Sequence, residues 1–250
     1  MTAKPARVRL DELVVARGLA ESRTKAQALI LAGRVLVDDR PAEKPGLRVA
    51  PDSALRLRGE TRRYVSRGGE KLAGALADLG VEVAGKCCLD VGASTGGFTD
   101  CLLQNGAAHV IALDVGYGQL DLRLRGDPRV RVIERVNARE MSAEHVPPEP
   151  PIELAVVDVS FISATLVLPR IAALAPRADV LVMVKPQFEV GRERVGKGGV
   201  VRDDEDRASA VGRVREAAAA LGYSPRGEAD SRVAGPAGNR EVFLWLTRAS

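Results

Sequence analysis

The sequence predicts an α/β protein in two parts, a small α+β module followed by a mostly parallel, doubly wound sheet. Two observations carry this. Six short apolar runs recur after residue 80, at Cys87–Val91, Val110–Asp114, Val130–Ile133, Leu154–Val159, Val180–Val184 and Val242–Leu246, with helical segments between several of them. Runs that are apolar at nearly every position are strands covered on both faces, as helices on both sides of a parallel sheet require. The first seventy residues lack that rhythm and differ in charge. Residues 1–70 hold 15 Lys/Arg against 9 Asp/Glu, whereas residues 71–250 hold 22 against 24. A chain of 250 residues accommodates a small domain joined to a medium one.

Within 9–17, Leu10, Leu13 and Val14 fall at i, i+3, i+4, one face of a short helix that Gly18 ends. Ser22 is placed to cap a second helix, which buries Ala26, Leu29 and Ile30 and stops at Gly33. Arg23 and Lys25 lie off that apolar stripe and face solvent or a ligand. Val35–Val37 reads as a strand, Asp38-Asp39 as a turn, and Leu55–Arg58 alternates with the period of a half-buried strand. The module is placed at 1–60. Residues 59–70, GETRRYVSRGGE, hold three Gly and three Arg, and the linker is placed at 61–70 before a domain at 71–250. A basic excess confined to the module suggests a nucleic-acid-binding unit, although a solvated basic face gives the same count.

No apolar run reaches the length of a membrane span, and residues 1–9 lack the apolar core of a secretory signal, so a cytoplasmic protein is expected. Cys87, Cys88 and Cys101 are odd in number and lie among apolar neighbours, which predicts reduced core thiols and neither a disulfide framework nor a metal site. Aromatic residues make up 3% of the chain, so a surface built on stacked aromatics would be thin.

In the second domain the helical segments are Lys71–Leu79, Phe98–Asn105, Leu166–Leu174 and Arg207–Leu221. Ligands bind such sheets at the carboxyl ends of the strands. The first strand ends in Asp90-Val91-Gly92-Ala93-Ser94-Thr95-Gly96-Gly97-Phe98, a glycine-rich turn that lets a ligand approach the backbone. Its spacing is not that of a dinucleotide fold, and no Lys is placed to hold a phosphate. Asp114 ends the second strand, where a carboxylate can accept both hydroxyls of an adenosine ribose. Asn137, after the third strand, is placed for an adenine edge, and Asp158 follows the fourth. Glycine loop, acid, polar residue and acid at four successive strand ends is the pattern of a Rossmann-like class I methyltransferase. By analogy with the switch-point rule, the four together favour S-adenosylmethionine over a nicotinamide as cofactor, and its candidate contacts are Asp90, Gly92, Ser94, Thr95, Gly96, Gly97, Phe98, Asp114, Asn137 and Asp158.

Two lysines stand at unusual places. Lys185 follows the apolar run Val180–Val184 and precedes Pro186, so its stem is expected to be partly buried. Lys71 opens the first helix of the domain. Asp158 and Glu241 also sit at strand termini, although the sequence leaves open which end of its strand Glu241 occupies. A surface charge is the commoner fate of each. A sugar hydroxyl is a poor nucleophile that needs a base or a strong orienting partner; a lysine can serve if burial and a second cation ease loss of its proton, while nearby carboxylates oppose that loss, and the sequence leaves the balance open. Other methyl acceptors leave traces that are missing here. Lys185-Pro186-Gln187-Phe188 stands where amino-group methylation uses an Asn/Asp-Pro-Pro-aromatic run, and no cysteine is placed as a nucleophile toward a pyrimidine.

Several stretches together identify a family resemblance: Arg9-Leu10-Asp11, Tyr64 to Leu72, Asp90 to Asp100, Asp114 to Leu120, Asp158 to Ser163, Val184 to Gly191, and Gly238 to Glu241. The chain resembles the TlyA proteins, bacterial ribosomal-RNA 2′-O-methyltransferases once labelled hemolysins, within the FtsJ-like group. The resemblance implies an RNA-binding domain of the ribosomal-protein-S-four type before an FtsJ-like methyltransferase domain. It implies a catalytic set of Lys71, Asp158, Lys185 and Glu241, with Lys185 on the ribose hydroxyl as base or positioner and the other three orienting it. The family's short linker falls on Arg63-Tyr64-Val65, with Tyr64 where some relatives carry Trp. The implied substrate is a cytidine ribose of ribosomal RNA, in the ribosomal subunit that holds 23S rRNA and also, in longer members, in 16S. The short ends of this chain direct the expectation to the large subunit. Candidate RNA contacts are Arg9, Arg23, Lys25, Arg34 and Arg67, and no metal is expected. The alternatives are a membrane-damaging protein, for which no amphipathic or spanning segment is found, and a ribosome-binding protein with an inactive methyltransferase fold, against which the intact strand-end residues argue.

Overall fold

The computed structural model describes residues 7–58, 63–235 and 238–248, so residues 61 and 62 of the expected linker lie outside the described residues. The chain divides into two compact units, Met1–Arg62 and Arg63–Ser250. The first holds β1 (Val8–Arg9), α1 (Leu10–Ala16), α2 (Arg23–Leu31), β2 (Val35–Val37), β3 (Arg40–Pro41), β4 (Arg48–Val49) and β5 (Leu55–Leu57). Ser22 caps α2, its Oγ accepting from the Lys25 N–H at 3.3 Å. Leu10, Val14, Ala26, Ile30 and Val35 form the core under the two helices. Asp38 and Asp39 turn the chain between β2 and β3 with φ of 49° and 66°. The two-residue strands β1, β3 and β4 are too short to leave a periodic signal, and none is anticipated from sequence.

The second unit holds α3 (Arg67–Leu79), β6 (Cys87–Val91), α4 (Gly97–Gln104), β7 (His109–Leu113), α5 (Leu122–Arg125), β8 (Val130–Ile133), β9 (Leu154–Val157), α6 (Leu168–Leu174), β10 (Asp179–Val184), α7 (Pro186–Glu189), α8 (Asp204–Ala220), β11 (Tyr223–Asp230) and β12 (Val242–Arg248). The sheet order is β11-β12-β10-β9-β6-β7-β8. From β10 to β8 neighbouring strands are parallel, and β12 runs antiparallel to both β10 and β11. The chain leaves β6 outward through β7 and β8, then returns to β9 on the other side. The crevice between β6 and β9 is therefore the switch point, where ligands bind such sheets.

Alternate strand residues feed two cores. Leu89, Val91, Val157, Val182 and Val184 face α6 and α8, through Ile171, Val211 and Val214. Cys88, Val156, Leu181 and Phe243 face α3 and α4, through Leu72, Leu76 and Leu102. Each fully buried Val or Leu contributes about 1.5–3 kcal/mol, and this double coverage explains why the strands read as continuous apolar runs. All three cysteines are buried and free, and burial pushes the Cys88 and Cys101 thiols up to about 12, which suits inert core residues.

Several boundaries differ from expectation; strand β7 spans His109–Leu113, so Asp114 follows the strand it was expected to end. Helix α3 begins at Arg67, capped by Ser66, so Lys71 sits in its second turn and does not open it. Strand β9 ends at Val157, which leaves Asp158 and Val159 in the following turn. Strand β11 is not anticipated at all: Tyr223-Ser-Pro-Arg-Gly-Glu-Ala-Asp230 is polar, carries Pro and Gly, and shifts register between Pro225 and Gly227. It is tolerated because β11 lies at the sheet edge, where a proline removes no central ladder bond.

Candidate active site

The carboxyl ends of β6, β7 and β9 surround a cleft of about 500 Å³, lined by Gly92, Ser94, Asp114, Asn137 and Asp158, and also by Gln119, Ser160 and Phe161. That volume lies in the range of small-molecule sites, about 300–1,000 Å³. Gly92 has φ +92°, and a Cβ there would stand 2.5 Å from the Asp158 carbonyl oxygen, so no side chain can fill this wall of the cleft. The Asp114 carboxylate is fixed by two backbone donors, Ser94 N–H to Oδ2 at 2.8 Å and Gly116 N–H to Oδ1 at 2.6 Å. Each oxygen keeps a further lone pair, so the group can still accept two hydroxyls. Asn137 caps the short 3₁₀ helix Ala138–Glu140, its Oδ1 accepting from Arg139 N–H at 3.1 Å, and its amide nitrogen remains a donor.

Other residues expected at the cofactor stand elsewhere. Asp90 is fully buried beneath the loop and accepts from the Thr99 hydroxyl at 2.6 Å. Burial, reinforced by the charges of Asp158 and Asp114, pushes its carboxyl up to about 7. Thr95 is exposed, and its carbonyl accepts from Asp121 N–H at 3.2 Å. Gly96 packs against Leu120 and Leu124, and Gly97 against Ser66 and the Gly69 backbone nitrogen, where a Cβ would come within 2.8 Å. Phe98 is buried with its ring 6.0 Å from that of Phe243. None of these residues lines the cleft.

The four residues expected as catalytic meet at the carboxyl ends of the parallel strands. Asp158 and Lys185 follow the ends of β9 and β10. Because β12 is antiparallel, with Val242 opposite Val184, Glu241 at its start lies beside Lys185 at the end of β10. Lys185 Nζ lies 2.6 Å from Asp158 Oδ1 and donates to Ser160 Oγ at 2.8 Å. Lys71, reaching from α3, forms an ion pair with Glu241. Lys71, Lys185 and Glu241 are 7%, 9% and 1% exposed, so these charges are desolvated and pairing is required to hold them. Two cations balanced by two carboxylates can hold and orient a hydroxyl and move its proton. Ser160 and Phe161 escaped sequence reasoning, although both lie in the run after Asp158; Phe161 is 88% exposed with φ +67°.

The basic residues of the first unit are partly committed. The buried Asp11 carboxylate accepts from Arg9 at 2.9 and 3.0 Å, from Arg23 at 3.0 Å and from Gln27 at 2.9 Å, which holds it well below the usual carboxylate range. Lys25 pairs with Glu21, and Arg34 donates to the Arg58 carbonyl at 3.1 Å. Both Lys25 and Arg34 stay exposed. In the second unit Arg67 donates to the Ala234 carbonyl at 2.6 Å. Among the described residues no helix is long and apolar enough to cross a membrane, and no group of three His, Cys, Asp or Glu is placed to hold a metal.

Comparison with known proteins gives two family matches, an S4 domain over residues 8–55 and an FtsJ-like methyltransferase over residues 64–248. The chain is 51% identical over 242 residues to the Mycobacterium tuberculosis protein named 16S/23S rRNA (cytidine-2′-O)-methyltransferase TlyA, covering 96% of this chain and 90% of that one. It is 39% identical over 186 residues to the Campylobacter jejuni protein named 23S rRNA (cytidine-2′-O)-methyltransferase TlyA, covering 74% and 71%. A solved structure from Streptococcus thermophilus, described as a hemolysin, superposes with a TM-score of 0.75 at 39% identity, covering 99% of this chain and 90% of that one.

Proposed function

The chain belongs to the FtsJ-like methyltransferase family, and on that premise we propose that it transfers a methyl group from S-adenosylmethionine to the 2′-hydroxyl of a cytidine ribose in ribosomal RNA. The observation that carries the reading is the meeting of Lys71, Asp158, Lys185 and Glu241 at the carboxyl ends of the strands, where Asp158 also lines the cleft. The cleft fits the cofactor: Asp114 offers two fixed acceptors to a ribose, Asn137 a donor to a purine, and Gly92 leaves the backbone open to close approach. When bound, S-adenosylmethionine supplies an electrophilic methyl group carried on a positively charged sulfur. Lys185 acts at the acceptor 2′-oxygen, as the group that orients the hydroxyl or takes its proton. Asp158 and Ser160 aim the Lys185 side chain, and the Lys71–Glu241 pair fixes the neighbouring wall.

The first unit anchors the RNA, a role supported by its S4 match and by the basic excess of residues 1–70. The large subunit is the favoured substrate, because 23S rRNA stands in the names of both the Mycobacterium and Campylobacter relatives, and 16S in only one. The test is to incubate the protein with each unmodified ribosomal subunit and a radiolabelled methyl donor, then map the label. Label on a cytidine 2′-oxygen of the large subunit is the expected result. Absence of label from both subunits would refute the activity, and comparable label in both would refute the preference.

Three further outcomes are expected. Asp114→Ala weakens cofactor binding by about 1–3 kcal/mol, the cost of leaving hydroxyls without their acceptor; calorimetry with normal affinity would remove Asp114 from the site. Deleting residues 1–60 cripples rRNA methylation while leaving cofactor affinity nearly intact. Binding of the full chain to rRNA weakens linearly with log salt, through counterion release. Undiminished methylation by the truncated chain would show that the first unit is not the anchor.

A further inference from the structure

Glu189 is a buried carboxylate, 3% exposed, for which the reaction described above has no use. It ends α7, the single helical turn that begins just after Lys185. Its side chain crosses to the segment after β9, where Oε2 accepts from the Ser163 hydroxyl at 2.5 Å and Oε1 from the Ala164 N–H at 2.7 Å. Its own carbonyl accepts from Arg213 of α8 at 2.5 Å. Burial raises its carboxyl above the ordinary range, with the two hydrogen bonds and nearby Arg213 acting against that rise. A carboxylate taken out of water at this depth is costly unless its hydrogen bonds are worth keeping.

The pattern of contacts shows what those bonds hold. The segment 158–164 is tied to the segment 185–189 at both ends: Asp158 and Ser160 contact Lys185, while Ser163 and Ala164 contact Glu189. Between the two ties, the rings of Phe161 and Phe188 meet at 5.4 Å, and Phe161 is held at a φ of +67°, in the left-handed region that side chains rarely adopt. Loosening the far tie frees the turn that carries Asp158 and Ser160 to relax, and Lys185 then loses its fixed direction. Displacements of about 1 Å at a reacting group are enough to cost two orders of magnitude in rate.

We propose that Glu189 is a positioning residue, bracing the β9 and β10 loops so that Asp158 and Ser160 aim Lys185 at the acceptor hydroxyl. The proposal rests on the assignment of Lys185 to that hydroxyl. The test uses the full chain with Glu189→Ala, Glu189→Gln and Ser163→Ala, reading kcat, KM for the rRNA substrate, cofactor affinity and thermal midpoint. Glu189→Ala is expected to lower kcat on the order of tenfold to a hundredfold, with KM and cofactor affinity within about threefold. Glu189→Gln should restore kcat to within about threefold of the parent, since its amide oxygen can accept from Ala164 and its NH₂ can donate to Ser163. Ser163→Ala removes one bond of two and should fall between them; it carries the test if Glu189→Ala fails to fold. Unchanged kcat in Glu189→Ala, or in Ser163→Ala if the former is unfolded, overturns the brace. So does a Gln variant as impaired as the Ala variant, or a loss confined to KM or cofactor affinity. An unsubstituted protein that methylates neither subunit would speak against the proposed activity instead.

Discussion

Lys185→Ala is expected to lower the rate of methyl transfer by about 10²–10⁴-fold, the range that a positioned acid–base group contributes, while cofactor affinity stays within about threefold. The difference follows from geometry. Lys185 stands just after β10, with Nζ 2.6 Å from Asp158 and 2.8 Å from Ser160, whereas Asp114, the residue proposed to hold the cofactor, follows β7 on the far side of β9 and β6. Lys185→Arg should not rescue the rate, because a guanidinium does not surrender its proton in this range and its planar fork differs in shape from an ammonium. Single-turnover kinetics beside calorimetry make the comparison. An arginine variant that turns over well would show that Lys185 supplies charge alone.

Glu241→Ala is expected to remove both activity and about 3–5 kcal/mol of stability, since it strands the Lys71 ammonium in the interior without its counter-ion. The side chains of the pair are 9% and 1% exposed, so water cannot readily replace the lost carboxylate. The double variant Lys71→Met, Glu241→Leu should recover most of that stability, because replacing both ions of a buried pair by apolar groups of similar volume is close to neutral. It should not recover methyl transfer. Denaturant unfolding of the single and double variants, read beside activity, separates what the pair does for the fold from what it does for the reaction. A single variant as stable as the parent would mean that Lys71 escapes to solvent when unpaired.

The strands of the second unit were legible because both their faces are covered, which prints a continuous apolar run on the sequence. Strand β11 escaped because, at the sheet edge, it can tolerate Pro225, Gly227 and three charged residues. The site was legible as a set of strand ends and illegible in its side-chain directions. Asp90, one residue before the end of β6, points into the interior toward Thr99, whereas Asp114, just beyond β7, turns toward the Gly92 loop. Gly96, Gly97 and Phe98 read as part of a ligand loop, yet they serve helix packing against α3 and α5. Glu241 could not be assigned to an end of the sheet until the direction of β12 was known. Ser160 and Glu189 lie within stretches that carry the family resemblance, but nothing in those stretches gives them a role, since what marks them is burial or contact across segments 25 or more residues apart.

The antiparallel insertion of β12 also bears on how the unit folds. This strand comes last among those described, yet it lies inside the sheet, between β10 and β11, with Phe243, Leu244 and Leu246 fully buried. Glu241 and Lys71 are separated by 170 residues of chain. Contacts of such separation must overcome a large loss of chain entropy before they reward it, so they form late and slowly. A partly folded chain can assemble the Asp114 side of the cleft from β6, β7 and β8 alone, but it has no Glu241 beside Lys185. In refolding, cofactor binding should therefore return earlier than methyl transfer, and intermediates lacking β12 would hold the cofactor without acting on RNA.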